Sequence, residues 1–308
     1  MKLVNGVQCY SRFPQFVCFL RQWNTRTSST SSNNSYCIQS VRKHDYDHYL
    51  CCLLLPKSSQ ASAFSIRAFN IEIAQIQNQV SEQSIGKMRL QFWKDALNNI
   101  YKGAPPLHPV ALALAEAVGK HKLTKKWLTR VVEARDSTQT RLFRSTEELE
   151  TYAEHTFSSL LYLTLETLGV RDVNSDHAAS HVGKAEGIVT LLRASNFYRA
   201  SRHVPIPMDI MIRHGASQED FIRGQLSQPL QDSVYDFASL AHTHLNKAHS
   251  LRNSIPSDGW RALLPAVVCE SLLKRIQQAD FDPFSPQLMT RPPLLPLQLL
   301  WKRLSRTF

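Results

Sequence analysis

Two polar segments of this chain have residue types that could bind an anion, because cations accompany both of them. The segments span residues 77–82 and 193–202. A site built from such cations could hold a phosphate or an acidic lipid headgroup directly. The alternative is that these side chains lie on helix surfaces, where they form salt bridges or extend towards water. The cations concerned are Arg89, Lys94, Arg193 and Arg199.

The same two segments are poor in the carboxylates that a magnesium site requires. Mg²⁺ prefers hard anionic oxygens in near-octahedral geometry, usually one or two carboxylates together with phosphate oxygens and water. Amide side chains are neutral, so they supply none of this charge. The first segment holds Gln77, Asn78, Gln79, Ser81 and Glu82, and the second holds Asn196, Arg199, Ala200 and Arg202. We therefore expect neither segment to bind Mg²⁺ through its own side chains.

A third polar cluster, formed by Asp176, His177 and His181, raises the question of a zinc site. Residues four apart share one face of a helix, so the two histidines could act together. Two histidines are only part of a zinc site, however, and the sequence fixes no third ligand nearby. We therefore expect a polar helix start with a solvated histidine rather than a metal centre.

The first 44 residues differ in composition from the rest of the chain. They contain six Lys or Arg residues, no Asp or Glu, and a hydroxyl-rich run at residues 27–32. Interspersed apolar residues complete the pattern of a mitochondrial transit peptide, a cationic segment drawn to an anionic membrane with an inside-negative potential. The alternative is a disordered basic tail. We assign residues 1–44 to a transit peptide, expected to be disordered, and residues 45–308 to one folded domain.

The remaining composition argues against several classes of protein. The net charge is +11, of which six charges fall in the predicted leader, and the remaining +5 is too little for the basic face of a nucleic-acid-binding protein. The six cysteines, including Cys9, Cys18 and Cys37 of the leader, form no C-x-x-C pair that would indicate a zinc ribbon or thioredoxin-like chemistry. No window approaches the ~18 apolar residues of a membrane-spanning helix, so we expect a soluble or peripheral protein.

Helical periodicity predicts about ten helices in one all-α domain. A capping box at Ser145 opens a long helix that Gly169 closes, a helix begins at Asn174 or Ser175, and Ser217 caps a later one. Four residues are predicted to lie in the core: Phe92, Trp93, Tyr162 and Leu165.

The chain ends in a basic amphipathic helix at residues 294–304. Such a helix either lies on a membrane surface or closes the helical bundle, and we favour packing in the bundle. The residues that can share its apolar face are Leu297, Leu300, Trp301, Leu304 and Phe308.

Several phrases between residues 45 and 300 resemble the squalene/phytoene synthase family in order along the chain. They lie at residues 70–76, 89–97, 152–162, 181–193, 207–209 and 241–245. The resemblance implies an all-α, isoprenoid-synthase-like helical bundle with a single domain and a deep central pocket. It also implies that residues 77–82 and 196–202 stand where active members hold Mg²⁺ and diphosphate with two aspartate-rich clusters.

Further phrases at residues 80–82, 88–94, 158–166 and 176–181 resemble a mitochondrial branch of this family. That resemblance implies a non-catalytic assembly factor for respiratory complex I, acting early on the membrane arm at the matrix side of the inner membrane. The implied partners are complex I subunits or other assembly factors, with peripheral membrane contact and no nucleic acid.

Loss of both clusters would leave the charge of a departing diphosphate unneutralised. The resemblance therefore implies no bound metal, no cofactor and no enzyme activity. The alternative is a residual prenyl-diphosphate or lipid-binding, or transferase, activity in the central pocket.

Overall fold

The computed structural model describes residues 32–79, 83–137 and 143–308, and these residues form helices without a β-strand. The predicted all-α class is therefore confirmed. The helices are α1 (Ser32–His44), α2 (Tyr46–Leu53), α3 (Lys57–Gln79), α4 (Gln83–Tyr101), α5 (Pro109–His121), α6 (Lys125–Ser137), α7 (Thr146–Ala153), α8 (Ser159–Thr167), α9 (Val173–Arg193), α10 (Ser195–Ala200), α11 (Met208–His214), α12 (Gln218–Arg223), α13 (Gln228–Ser250), α14 (Pro265–Gln278), α15 (Pro286–Met289) and α16 (Leu295–Ser305). A π-helical turn, Glu154–Ser158, joins α7 to α8, and two 3₁₀ turns, Arg252–Ser254 and Gly259–Leu263, precede α14.

Helix α9 lies at the centre of the bundle and packs against α13, α14 and the segment from α7 to α8. It is buried on most of its circumference, as expected for a helix without a solvated face. The cap of α9 is Asp172, whose Oδ2 accepts a hydrogen bond of 2.8 Å from the Ser175 backbone N–H. The predicted start at Asn174 or Ser175 is thus slightly late, because Asp is as good a cap as either residue.

Two glycines of α9 allow its close approach to the π-helical turn. A Cβ atom at Gly183 would lie 2.3 Å from Ser158 Oγ and 2.4 Å from the Ser158 backbone nitrogen. A Cβ atom at Gly187 would lie 2.7 Å from the Cβ of Ala153. The long helix predicted between Ser145 and Gly169 is therefore present, but its backbone widens into a π-helical turn opposite these glycines.

Two predicted helix starts, at Ser145 and Ser217, and one predicted helix end, at Gly169, are confirmed. Ser145 Oγ accepts from the Glu148 backbone N–H at 3.2 Å, and Ser217 Oγ accepts from the Glu219 N–H at 3.1 Å. Gly169 has a positive φ of 75°, a conformation that favours glycine after a helix end.

Helix α1 lies within the segment that composition assigned to the transit peptide. Its Cys37 and Val41 are fully buried, and the helix packs against α3 and α5. The packed helices therefore begin by Ser32, and the boundary predicted at residue 45 is too late because the acid-free composition continues into the first core helix. Cys9 and Cys18 lie outside the described residues.

Three of the four predicted core residues are buried, namely Trp93, Tyr162 and Leu165. Trp93 meets Phe69 of α3 edge to face with ring centroids 5.3 Å apart. Phe92 is the exception, because the opposite side of α4 exposes it to solvent together with Met88.

The C-terminal helix α16 packs through a different face from the one predicted. Leu295 and Leu299 are buried, and Phe308 is buried against the ring of His249. Four of the residues predicted to close the bundle are exposed instead: Leu297, Leu300, Trp301 and Leu304. None of the described helices combines the length and apolar character needed to cross a membrane.

We expect Gly183→Ala to lower the free energy of unfolding by about 1–3 kcal/mol, because the added methyl group overlaps backbone atoms that cannot move aside. The matched control is Gly119→Ala in α5, where a Cβ meets nothing within 4 Å. That change should stabilise the protein by about 0.5–1 kcal/mol, since alanine is the better helix former. Urea unfolding followed by circular dichroism measures both, and equal effects of the two substitutions would contradict this packing.

Candidate functional site between α3 and α9

The first polar segment lies at the end of α3. The last turn of that helix carries Gln77, Asn78 and Gln79, while Ser81 and Glu82 lie outside the described residues. Helix α4 begins immediately afterwards at Gln83. In the sequence the segment thus begins in the last turn of one long helix and ends directly before the next.

The second polar segment forms the short helix α10 and the turn after it. Asn196 Nδ2 donates a hydrogen bond of 3.1 Å to the Phe284 carbonyl, and the Arg199 guanidinium lies 5.2 Å from the centre of the Phe284 ring. Arg202 adopts a left-handed conformation with φ of 54°, just past the helix end that follows Ala200. Asn196 and Arg199 therefore contact the protein itself and fix the loop after α14.

The predicted anion-binding cations are also engaged by the protein. Lys94 Nζ lies 2.7 Å from Asp136 Oδ2, and Arg193 Nη1 lies 2.5 Å from Asp47 Oδ2. Arg89 is on the exposed side of α4. These contacts favour the salt-bridge interpretation of Arg193 and Lys94 over a shared anion site.

The charges at the centre of the molecule come from residues that the sequence patterns did not single out. Arg67 of α3 donates to Glu186 of α9, with 3.1 Å between Nη1 and Oε1. The same Nη1 lies 3.7 Å from Asp45 Oδ2, at the cap of α2. His48 of α2 lies between both carboxylates, 2.6 Å from Asp45 Oδ1 through Nδ1 and 2.9 Å from Glu186 Oε1 through Nε2. We call Asp45, His48, Arg67 and Glu186 the central ion cluster.

The charges of the central ion cluster favour one another's ionised forms away from water. Burial and the Arg67 charge oppose protonation of His48, but Asp45 and Glu186 outweigh them and raise its pKa to about 9. Burial opposes ionisation of Glu186, yet His48 and Arg67 hold its pKa below the ordinary value. Asp45 behaves in the same way, with burial outweighed by His48 and Arg67, so its pKa is also lowered.

A second buried arginine connects α6 to α3. Arg135 Nη2 donates a hydrogen bond of 2.6 Å to Asn70 Oδ1, and burial lowers the pKa of the guanidinium despite contact with Tyr152. The buried arginines of the described residues are therefore Arg67 and Arg135, neither of which was among the predicted anion contacts.

The histidine cluster gains a member that lies far away in the sequence. His181 Nδ1 is 2.9 Å from Nδ1 of His244 on α13, and His244 Nε2 is 3.4 Å from Glu150 Oε1. Burial, followed by the neighbouring His244 and His177, lowers the pKa of His181 to about 4. Over residues 32–79, 83–137 and 143–308, no three His, Cys, Asp or Glu side chains are grouped so that they could hold a metal ion.

The arrangement between α3 and α9 is suited to holding helices together rather than to binding a polyvalent cation. Its two carboxylates are already shared between a guanidinium and an imidazolium, so little negative charge remains for a metal. Sequence reasoning missed these residues because Arg67 and Glu186 are 119 positions apart. The one available signal is that Glu186 falls among the buried residues of α9, where an isolated charge is costly.

Comparisons with known proteins agree with this architecture. The sequence model of the squalene/phytoene synthase family matches residues 41–298, so the chain belongs to that family. A dehydrosqualene synthase solved in complex with ligand superposes with a TM-score of 0.79 at 18% identity, covering 89% of this chain and 95% of that one. The predicted isoprenoid-synthase-like fold is thereby confirmed.

Two relatives are more similar in sequence, and both are named NADH dehydrogenase (ubiquinone) complex I, assembly factor 6. The protein from Bos taurus is 52% identical over 270 residues, which cover 87% of this chain and 81% of that protein. The protein from Homo sapiens is 49% identical over 274 residues, which cover 89% of this chain and 82% of that protein.

We expect Glu186→Gln to lower the free energy of unfolding by about 3–5 kcal/mol, because it leaves Arg67 and His48 buried with one carboxylate fewer. The control is Glu219→Gln, which removes an exposed pair with Arg223 and should cost less than about 1 kcal/mol. Denaturant unfolding at neutral pH compares them. If Glu186→Gln lowers the free energy of unfolding by no more than Glu219→Gln does, the central ion cluster does not stabilise the fold.

The stability of the protein should also depend on the charge of His48 at alkaline pH. Since the pKa of His48 rises from 6.5 to about 9 on folding, its stabilisation is complete below 6.5 and is lost as the pH passes through about 9. The stability difference between the wild type and His48→Gln should therefore fall by about 3 kcal/mol over this range. Measuring both proteins cancels the titration of other groups, and a difference that stays constant with pH would refute the assignment.

Proposed function

We propose that this protein is a non-catalytic assembly factor for mitochondrial respiratory complex I. In this proposal it acts early in assembly of the membrane arm, with complex I subunits or other assembly factors as its partners. It uses the squalene/phytoene synthase scaffold as a structural frame and does not ionise prenyl diphosphates.

The observation that carries the proposal is the similarity to relatives that bear the assembly-factor name. Identities of 52% and 49% extend over more than four fifths of this chain and of each relative, so they are not confined to one motif. The dehydrosqualene synthase shares the fold at only 18% identity, so its activity does not carry over to this chain.

The chemistry of the two polar segments supports a role without catalysis. The first segment holds Gln77, Asn78 and Gln79, which are neutral, and Glu82 is its only acid. In the second, Asn196 and Arg199 bind the Phe284 region. Because Mg²⁺ requires several anionic oxygens, these residues are poor ligands for a metal–diphosphate cluster. Residual diphosphate or lipid chemistry is therefore not favoured.

We place the protein in mitochondria, on the matrix side of the inner membrane and peripheral to it. The acid-free, hydroxyl-rich composition of the N-terminal residues supports import through a cleavable leader. Since α1 is part of the packed domain, a cleavage before Ser32 would leave the fold intact.

Removal of the protein from cells of its own organism should reduce the amount of assembled complex I and its NADH:ubiquinone activity. Re-expression should restore both, and native gels with activity staining measure them against the other respiratory complexes. Complex I that is assembled normally in the absence of the protein would refute the proposal.

The same cells test whether the first polar segment has a catalytic role. Glu82→Gln removes the one carboxylate of that segment, and we expect it to restore complex I as well as the wild type does. A well-expressed Glu82→Gln protein that fails to restore complex I would favour residual metal chemistry.

A further inference from the structure

Helix α16 exposes a continuous apolar surface that the fold does not cover. The exposed fractions are 54% for Leu297, 70% for Trp301 and 79% for Leu304. Leu294 and Leu300 extend the same surface. Single exposed apolar side chains are common. Five on one short helix and the residue before it mark an interaction site.

The position of α16 is fixed from its other side. Leu295 and Leu299 are buried, and the helix packs against α14 and α2. Its end is closed by Phe308, which stacks on His249 with ring centroids 5.4 Å apart and accepts a hydrogen bond from Lys302. The exposed leucines and Trp301 therefore cannot turn inwards without unpacking the helix end.

A groove with a volume of about 710 Å³ runs between α14 and the exposed side of α16. Its walls include Val267, Leu297 and Trp301, with Lys274 among the lining residues. Glu270 is the one acid of this lining, and its carboxylate lies 2.6 Å from His249 Nε2. Because Glu270 is paired with His249, the remaining charged residues of the lining are the cations Lys274 and Lys302, beside apolar carbon and the neutral Ser271 and Gln298.

The charge of the C-terminal segment indicates the kind of occupant. Residues 285–308 contain no Asp or Glu, whereas they include Arg291, Lys302, Arg303 and Arg306. Residues 1–31 are also acid-free and basic, so the same sign of charge disfavours that segment as the occupant. A second copy of the surface would be repelled for the same reason. The complementary partner carries negative charge beside apolar material.

We propose that α16 is the membrane-contact element of this protein and lies in the plane of an anionic lipid surface. Leu297, Trp301 and Leu304 enter the boundary between headgroups and acyl chains, where the amphipathic indole is favoured. Lys274 of the groove and the exposed Arg306 lie beside the lipid phosphates, and their aliphatic stems cover the edge of the apolar surface. The inference rests on the proposed function only for the identity of the membrane, the mitochondrial inner membrane.

The test uses the purified full chain and vesicles of phosphatidylcholine with or without cardiolipin. The variant Trp301→Ser/Leu304→Ser changes two exposed residues, and Ile212→Ser is the matched control because Ile212 is 72% exposed on α11. We expect the double variant to bind cardiolipin vesicles about tenfold more weakly or worse, and the control to bind like the wild type. Wild-type binding should also weaken with salt. Circular dichroism checks that all three proteins are folded.

Trp301 fluorescence supplies a second measurement. The part of the emission that disappears in Trp301→Phe should shift to the blue when cardiolipin vesicles are added to the wild type. Equal vesicle binding by the wild type and the double variant would overturn the inference, because the leader or another surface would then be responsible. Absence of lipid binding, together with cross-linking of α16 to an acidic protein segment, would overturn it in favour of a protein partner.

Complementation in cells separates this inference from the proposed function. Normal complex I without the protein refutes the assembly role and leaves the vesicle result standing. If complex I requires the protein and the double variant stays membrane-bound, only the inference about α16 fails.

Discussion

The ion pair between Arg67 and Glu186 is the interaction on which the arrangement of the bundle depends. It joins α3 to α9 across 119 residues of sequence, and His48 and Asp45 add the start of α2 to the same contact. A buried ion pair of this kind adds little net stability over apolar packing, because desolvation offsets much of the attraction. Removing one partner is costly, so the pair strongly disfavours arrangements in which α3 and α9 are out of register.

The position of α9 then determines the rest of the structure. Gly183 and Gly187 bring it against the π-helical turn, and α13 and α14 pack on its other sides. Helix α14 in turn supports α16, whose exposed side forms the groove with Lys274 and Trp301. A continuous series of contacts therefore connects the central ion cluster, through α9 and α14, to the exposed side of α16.

In this synthase-like frame the carboxylates at the centre are paired with cations of the protein itself. A metal–diphosphate site needs carboxylates that are free to bind cations from solution. Here the carboxylates at the centre, Asp45 and Glu186, are neutralised by His48 and Arg67 of the protein itself. The charges buried in this frame therefore compensate one another without a bound cation.

Much of the fold could be predicted from the sequence, because it depends on local signals. Apolar periodicity predicts the helices, and Ser145, Gly169 and Ser217 mark their ends through hydrogen bonds and backbone conformations specific to those residue types. The predicted start of α9 missed Asp172 by two or three residues for the same local reason, since several neighbouring residues can act as caps.

The central ion cluster and the exposed side of α16 could not be predicted in this way. No local pattern in the sequence relates Arg67 to Glu186. For α16, amphipathicity predicts an apolar side but does not show which of its residues other helices will cover. Leu295 and Leu299 are covered while Leu297 and Trp301 are not, and this difference follows from tertiary packing. The packing of α1 could not be predicted either, because composition does not show that Cys37 and Val41 are part of the core.

The most direct test of this account is the stability of the purified protein with Mg²⁺ and a prenyl diphosphate. A ligand bound only by the folded protein raises the free energy of unfolding, by about 2.7 kcal/mol at a hundredfold excess over its dissociation constant. The account predicts no magnesium-dependent increase and no heat of binding in calorimetry. A stabilisation by prenyl diphosphate that requires Mg²⁺ would contradict it and would return the protein to the metal-dependent chemistry of its family.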